Sequence, residues 1–124
     1  MHRHEYEGDL REVCAREGLS CLPYYALANG FLTGKYRPDS HVDSARAKAA
    51  GAYLDAHGLQ LLAALDDIAA THHTTPAAVS LAWLLAQPTI VAPIASARTV
   101  DQLAEWLPAT TLTLTDDEVA RLNR

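Results

Sequence analysis

The chain has 124 residues, of which 49% are hydrophobic and 20% charged, and its formal net charge at pH 7 is −5. This composition is that of one modest globular domain. The Lys and Arg residues are scattered, which argues against a nucleic-acid partner. No stretch reaches the roughly 20 apolar residues of a membrane-spanning helix, and no basic start precedes an apolar run as in a signal peptide. We therefore expect no membrane partner.

Cysteine and histidine patterns give no metal site. Cys14 and Cys21 have a spacing that matches no zinc pattern, and two reduced, packed thiols are the default in a cytoplasmic protein, which is the location we expect. His2 and His4 lie at the chain end and His72–His73 at a predicted helix end, so a metal is not expected at either place.

The first predicted elements are a helix over residues 9–18 and a strand over residues 19–25. Asp9, with Glu12 three positions on, is the expected N-cap of the helix, and Gly18 suits the left-handed position after its last turn. The segment "LSCLPYY" is apolar almost throughout, which is typical of a strand covered on both faces.

A long loop follows to about residue 41, and loops of this length more often carry function than fold. Residues 43–57 are alanine-rich and predict a helix that ends near Gly58. Residues 59–72 predict a further helix, with Asp66–Asp67 on its polar face.

Three later segments show helix starts. Thr75 followed by Pro76 provides a capping hydroxyl and a proline at the first helical position. Pairs three residues apart, Thr99 with Gln102 and Thr115 with Glu118, have the spacing of capping boxes. Between the first and second of these starts, "TIVAPIA" at 89–95 predicts a second buried strand.

The order of elements predicts an α/β fold. Strands that alternate with helical segments of this length indicate parallel βα units. Two parallel strands cannot cover each other, and the helices carry apolar stripes that need a wider sheet. Residues 1–124 are therefore expected to form an incomplete domain, part of a larger sheet or barrel.

Two segments, "GLSCLPYYALANGFLTGKYRP" and "TTPAAVSLAWLLAQPTIVAPIASARTVDQLAEWL", resemble the C-terminal part of the aldo-keto reductase family. The resemblance covers essentially the whole chain from about residue 8. It implies a partial (β/α)8 TIM barrel, with roughly the last two strands and their helices. It also implies an oxidoreductase that reduces carbonyl compounds with NADPH.

The first motif implies contacts with the nicotinamide and the pyrophosphate. Tyr24 matches the tyrosine whose ring stacks on the nicotinamide. The backbone of Ala26, Leu27 and Asn29 matches the loop around the pyrophosphate, where exposed N–H groups suit an anion. Lys35 matches the lysine of that loop and is expected to reach a phosphate.

The second motif implies contacts with the adenosine end. Arg98 matches the arginine that binds the 2′-phosphate, which favours NADP over NAD, and the helix start after it would add to that attraction. Gln102 and Glu105 match positions that face the adenine. Ser96 lies in the same turn and replaces a glycine of the family pattern.

Two further departures from the pattern concern the same sites. Tyr25 replaces a serine near the pyrophosphate, and Trp106 replaces an asparagine near the adenine. The family's catalytic aspartate, tyrosine, lysine and histidine match no position of this chain, and neither does the serine–asparagine pair that orients the carboxamide. No catalytic residue is therefore assigned.

Each assignment has a structural alternative. Tyr24 can simply pack at a rim, Lys35 can be a solvated loop lysine, and Glu105 can be merely exposed. Gln102 can serve only to cap the helix with Thr99. Arg98 is a cation beside a helix start, where it is unfavourable unless a phosphate neutralises it.

Two functions follow from these patterns. The chain is either the cofactor-binding part of an NADP-dependent aldo-keto reductase, or a non-catalytic remnant or interaction module. In the second case its bare apolar faces would bind a second copy or a missing N-terminal half.

Overall fold

The computed structural model describes residues 2–123, without the side chain of His2. Its α-helices, in chain order, are α1 (Asp9–Arg16), α2 (Ala47–Gly51), α3 (Ala56–Thr71), α4 (Pro76–Leu85), α5 (Val100–Trp106) and α6 (Asp116–Leu122). Three 3-10 turns span His2–Glu5, Ala28–Thr33 and Leu107–Thr110.

The two predicted strands meet in parallel but do not form a ladder. Within residues 2–123 they give a single isolated bridge between Cys21 and Ile90. The Cys21 N–H donates to the Thr89 carbonyl at 2.8 Å, and the Val91 N–H donates to the Cys21 carbonyl at 3.2 Å. The predicted extents, 19–25 and 89–95, are therefore corrected to a short paired contact.

Two prolines explain why the ladder stops. A regular parallel ladder continues with an N–H of residue 23 and an N–H of residue 93, but Pro23 and Pro93 have none. Instead the N–H of Ile94 donates to the Pro23 carbonyl at 2.9 Å, one residue beyond the regular register. The pairing therefore continues past the bridge, but with a slip.

The core lies around α3 and α4, which pack against each other. Leu62 and Leu65 of α3, Val79 of α4 and Phe31 of the loop are the largest fully buried side chains. The core therefore lies between α3, α4 and the loop of Phe31, and the bridge between Cys21 and Ile90 lies at one side of that core.

Helix caps follow the predictions where the signal is local. Thr75 accepts from the Ala78 N–H at 3.1 Å, which confirms the start of α4. Thr115 and Glu118 form a complete capping box at α6. At α1 the prediction is wrong, because Gly8 occupies the cap position with φ 117° and no side chain caps the helix.

The helix predicted over 43–57 is also wrong in extent, because the structure has α2 over Ala47–Gly51 and a separate helix, α3, that begins at Ala56. Asp55 accepts from the Gly58 N–H at 2.7 Å and caps α3, so the last two residues of the predicted segment already belong to that second helix. Gly58 is thus inside a helix. A Cβ atom there would lie 1.8 Å from the carbonyl oxygen of Tyr53, so the close passage of that carbonyl requires glycine.

Residues 2–123 hold neither a membrane-spanning helix nor a cluster of metal ligands. Across residues 2–123 no helix is both long enough and apolar enough to cross a bilayer. In the same part of the chain no group of three or more His, Cys, Asp or Glu side chains is arranged to hold a metal ion. Cys14 and Cys21 are both free thiols.

Candidate functional site

The slipped parallel pairing brings the two predicted cofactor segments to one edge. Tyr24 directly follows Pro23, and Ala95 directly follows Ile94, whose N–H is bonded to Pro23. Parallel segments end at the same edge, so the loop after Tyr24 and the turn that holds Arg98 start side by side.

Tyr24 presents an open aromatic surface. Its side chain is 74% exposed, and that of Tyr25 is 61% exposed. The two ring centroids lie 4.7 Å apart with the planes inclined at 53°. Because Tyr25 covers only part of the Tyr24 ring, a flat heterocycle has room to stack on it.

A cavity of about 730 Å³ lies beside this surface. Among the predicted site residues, Tyr24, Ala26 and Asn29 line it. Its other walls include residues of α1, α3 and α4, the N-terminal segment before α1 and the segments around the bridge. The predicted residues of the second motif, and Leu27 and Lys35 of the first, lie outside this lining.

The loop after Tyr24 turns through a rare conformation. Ala28, Asn29 and Gly30 have φ angles of 46°, 58° and 89°, so three consecutive residues lie in the left-handed region. Only the last is a glycine, and the first two carry a steric cost. The wholly buried ring of Phe31 anchors the loop directly after this run.

The side chains of Ala26 and Leu27 pack into the fold, and hydrogen bonds within the loop use two of the N–H groups that follow them. Ala26 is buried against α4 and Ala109, and Leu27 packs on the same cluster. The N–H of Ala28 donates to the Tyr25 carbonyl at 2.9 Å, and the N–H of Gly30 donates to the Leu27 carbonyl at 2.8 Å. These two donors are therefore turned into the loop itself.

Lys35 carries an uncompensated charge on the loop. Its side chain is exposed, and its Nζ lies 5.1 Å from the centroid of the Tyr36 ring. Within residues 2–123 it takes part in no ion pair. The ammonium is thus held near an aromatic face and open to an anion.

Arg98 lies at a turn that the chain closes itself. Its N–H donates to Oε1 of Gln102 at 3.0 Å, and the Gln102 N–H donates to Thr99 Oγ1 at 3.2 Å. The Gln102 side chain therefore accepts from the N–H of the residue before Thr99, whereas the predicted capping box would have it accept from the N–H of Thr99 itself. The guanidinium of Arg98 is on an exposed residue and forms no ion pair in the described part of the chain.

Ser96 and Glu105 are both exposed. The carbonyl oxygen of Glu105 accepts from the Thr75 hydroxyl, which ties α5 to the start of α4. The structure therefore gives Glu105 a main-chain role and leaves its carboxylate in solvent.

Tyr6 is a cavity residue that the sequence patterns missed. It lines the cavity, and its hydroxyl is hydrogen-bonded to the Thr89 hydroxyl. Burial raises the pKa of this phenol above its ordinary value of 10.0. No local pattern signals a contact between residues 83 positions apart.

Known proteins were compared with this chain by sequence and by fold. A sequence model of the Aldo/keto reductase family matches residues 1–124. Protein tas of Escherichia coli K12 is 33% identical over 120 residues, covering 94% of this chain and 35% of that protein. Aldo-keto reductase yakc [NADP(+)] of Schizosaccharomyces pombe is 31% identical over 115 residues, covering 90% of this chain and 34% of its own length.

Solved structures agree with this relationship. The thermostable aldo-keto reductase Tm1743 superposes with a TM-score of 0.68 at 25% identity, over 98% of this chain and 35% of that one. The glycerol dehydrogenase AKR11B4 of Gluconobacter oxydans has the same fold here, with a TM-score of 0.76 at 22% identity, over 96% of this chain and 37% of that one.

The chain spans about a third of the length of the curated relatives it matches. Its pair of extended segments, its helices and its loop correspond to that portion of their barrels. The partial-barrel prediction is supported at this level, although only the isolated bridge of the expected strands is formed. With a match over residues 1–124, the chain belongs to the aldo/keto reductase family.

Proposed function

We propose that this chain is the cofactor-binding portion of an NADP(H)-dependent aldo-keto reductase. The whole protein would transfer hydride to an aldehyde or ketone, and the nicotinamide supplies that hydride when it is bound. The residues of this chain bind and orient the dinucleotide. We place the protein in the cytoplasm, in agreement with its two free thiols.

The observation that carries the proposal is the hydrogen bond from the Ile94 N–H to the Pro23 carbonyl. It joins the residue before Tyr24 to a residue four positions before Arg98, which supports a shared site for the two motifs. Ligands of open α/β sheets and barrels bind at this carboxyl edge.

The residues present fit a dinucleotide with a 2′-phosphate. Tyr24 offers an exposed ring for the nicotinamide, and the loop residues Ala26 and Asn29 lie at the cavity beside it. Lys35 and Arg98 offer two cations with no ion-pair partner among the described residues. A planar guanidinium is well suited to phosphate oxygens.

For Ser96, Gln102 and Glu105 the proposal is narrower. Ser96 and Glu105 are both exposed, and we propose that they face the adenosine. The Gln102 side chain is bonded to the Arg98 N–H, so we propose that it acts there by fixing the turn.

The proposal is tested by calorimetric titration of NADPH into the purified chain. We expect saturable 1:1 binding that is weak, with a dissociation constant of about 0.1–1 mM, because most of the barrel is not present to enclose the ligand. A folded chain that takes up no NADPH at several times such concentrations, on the order of 5 mM, would overturn the proposal.

A second function, that of an interaction module, is favoured by one observation. Helix α1 buries none of its residues. Leu10 on it, and Leu22 and Val91 beside the bridge, are 53%, 53% and 57% exposed. Exposed apolar groups concentrated in this way mark interaction surfaces. Concentration-dependent sedimentation that Leu22→Asp abolishes would support pairing with another chain, and a monomer at all concentrations would oppose self-pairing.

A further inference from the structure

Arg37 joins the loop that carries Lys35 to helix α3. Its Nε donates to the carbonyl oxygen of Gly34 at 2.8 Å, and its Nη2 donates to Oδ1 of Asp66 at 2.8 Å. One guanidinium thus binds the loop main chain and a helix side chain at the same time, with the fixed geometry of its planar fork.

Gly34 is held tightly in this arrangement. It has a φ of 78°, in the left-handed region that favours glycine. A Cβ atom there would lie 3.0 Å from Nη2 of Arg37 and 3.3 Å from Cγ of Pro76. The main chain before Lys35 is therefore wedged between the guanidinium and the first turn of α4.

The main chain after Lys35 is held as well. The Arg37 N–H donates to Ser40 Oγ at 2.7 Å, and that hydroxyl has the carbonyl oxygens of Arg37 (3.0 Å) and Lys35 (3.2 Å) as acceptors. Tyr36 is buried, and its hydroxyl lies 3.0 Å from Ser44 Oγ. Lys35 is thus an exposed cation on a main chain that is fixed on both sides.

From these contacts we propose that the Arg37–Asp66 pair is a positioning device, which pre-orders the loop so that the Lys35 ammonium meets a phosphate of the cofactor. This rests on the proposed function. Arg37 itself is not the phosphate ligand, because its charge is paired with Asp66. A group fixed before the ligand arrives loses less freedom on binding, and the affinity gains accordingly.

The pair contributes little to the stability of the fold. The two side chains are 35% and 44% exposed, and ion pairs at such positions are largely screened by solvent. A matched control is provided by the next residue of α3, because Asp67 pairs with Arg121 of α6 and not with the loop.

The first experiment measures hydrogen exchange of the hydrogen-bonded amides of Gly34, Arg37 and Ser40 and needs no ligand. We expect Asp66→Ala to speed their exchange by about threefold, whereas Asp67→Ala leaves it unchanged, since local opening is set by local contacts. Equal exchange in the wild type and in Asp66→Ala would overturn the proposal.

The second experiment measures NADPH affinity in Asp66→Ala, Lys35→Met and the double variant. We expect Asp66→Ala to weaken binding by about fivefold, and to add almost nothing when Lys35 is already Met, because the pair acts through that side chain. If the affinity losses of the two single variants multiply in the double variant, Asp66 does not act through Lys35. A wild type that binds no NADPH would refute the proposed function, and with it the cofactor role of Lys35, while the exchange result still decides whether the pair orders the loop.

Discussion

The Ile94 N–H donates to the Pro23 carbonyl at 2.9 Å, one residue out of step with the bridge between Cys21 and Ile90. Pro93 has no N–H, so the slip allows one more hydrogen bond between the two segments beyond the bridge. The chain therefore continues into Tyr24 and into the turn of Arg98 from the same edge, where the two parallel segments end. This single contact links two motifs that lie more than 70 residues apart in the sequence.

The first prediction separates the two neighbouring tyrosines. Tyr24→Ala should weaken NADPH binding by about tenfold, because it removes the ring proposed to stack on the nicotinamide. Tyr25→Ala is the matched control, with a ring of the same kind and similar exposure. Fluorescence titration measures both affinities, and equal losses would argue against a special role for Tyr24.

The second prediction concerns the fold that supports the site. Gly58→Ala should destabilise the protein by about 3 kcal/mol, because the new Cβ meets the Tyr53 carbonyl and the main chain must move. Gly51→Ala, also in a helix, has nothing within 4 Å of its added Cβ and should stay within about 1 kcal/mol of the wild type. Urea unfolding measures both. Similar midpoints would contradict the close passage of Tyr53.

The third prediction concerns how the stability of the fold depends on the charge of Glu118 at acid pH. The pKa of the Glu118 carboxyl lies below its ordinary value of 4.5. The main cause is the Thr115 N–H, which donates to the carboxylate at 2.8 Å, and the nearby His72 adds to the effect. Because this pKa is lower in the folded state than in the unfolded state, the carboxylate stabilises the fold at any pH above the pKa of the unfolded state. That contribution to stability is lost as the pH falls through the pKa of the folded state.

Melting curves of the wild type and Glu118→Gln check this. The wild type should melt higher at about pH 6, and the difference should shrink on acidification to about pH 3. Glu12→Gln alters an exposed carboxylate on α1 and serves as the control. A difference that stays constant over this range would show that the cap of α6 does not depend on the charge of Glu118.

Local signals in the sequence predicted local structure well. The caps at Thr75 and Thr115 depend on residues within one helical turn, and both are present. The cap at Asp9 failed because Gly8 adopts a φ of 117° that no pattern of side chains indicates. Alanine content over 43–57 predicted a helix, but Asp55 captures the Gly58 N–H and starts a separate one.

Contacts between distant residues were out of reach of the patterns. Arg37 with Asp66 and His72 with Glu118 pair across 29 and 46 positions, and each residue alone looks like an ordinary surface charge. The site residues were predicted from the family resemblance, and of these the structure brings Tyr24, Ala26 and Asn29 to the cavity lining. The loss of the strand ladder follows from two prolines that the apolar runs concealed.

The fourth prediction concerns catalysis. The chain alone should not oxidise NADPH with simple aldehydes or ketones, because the aspartate, tyrosine, lysine and histidine of the family pattern match no position in it. Absorbance at the NADPH band measures turnover, with a buffer blank and a complete aldo-keto reductase as controls. Turnover above the blank would mean that another group of this chain donates the proton.

The fifth prediction tests the central claim that this edge of the fold recognises NADP. Calorimetric titration should give tighter binding of NADPH than of NADH by the wild type. Arg98→Ala should abolish that preference by weakening NADPH alone, by about tenfold or more, since only NADPH carries the 2′-phosphate. Arg46→Ala, another exposed arginine, should keep the preference. A preference that survives Arg98→Ala, or a wild type without one, would contradict the account.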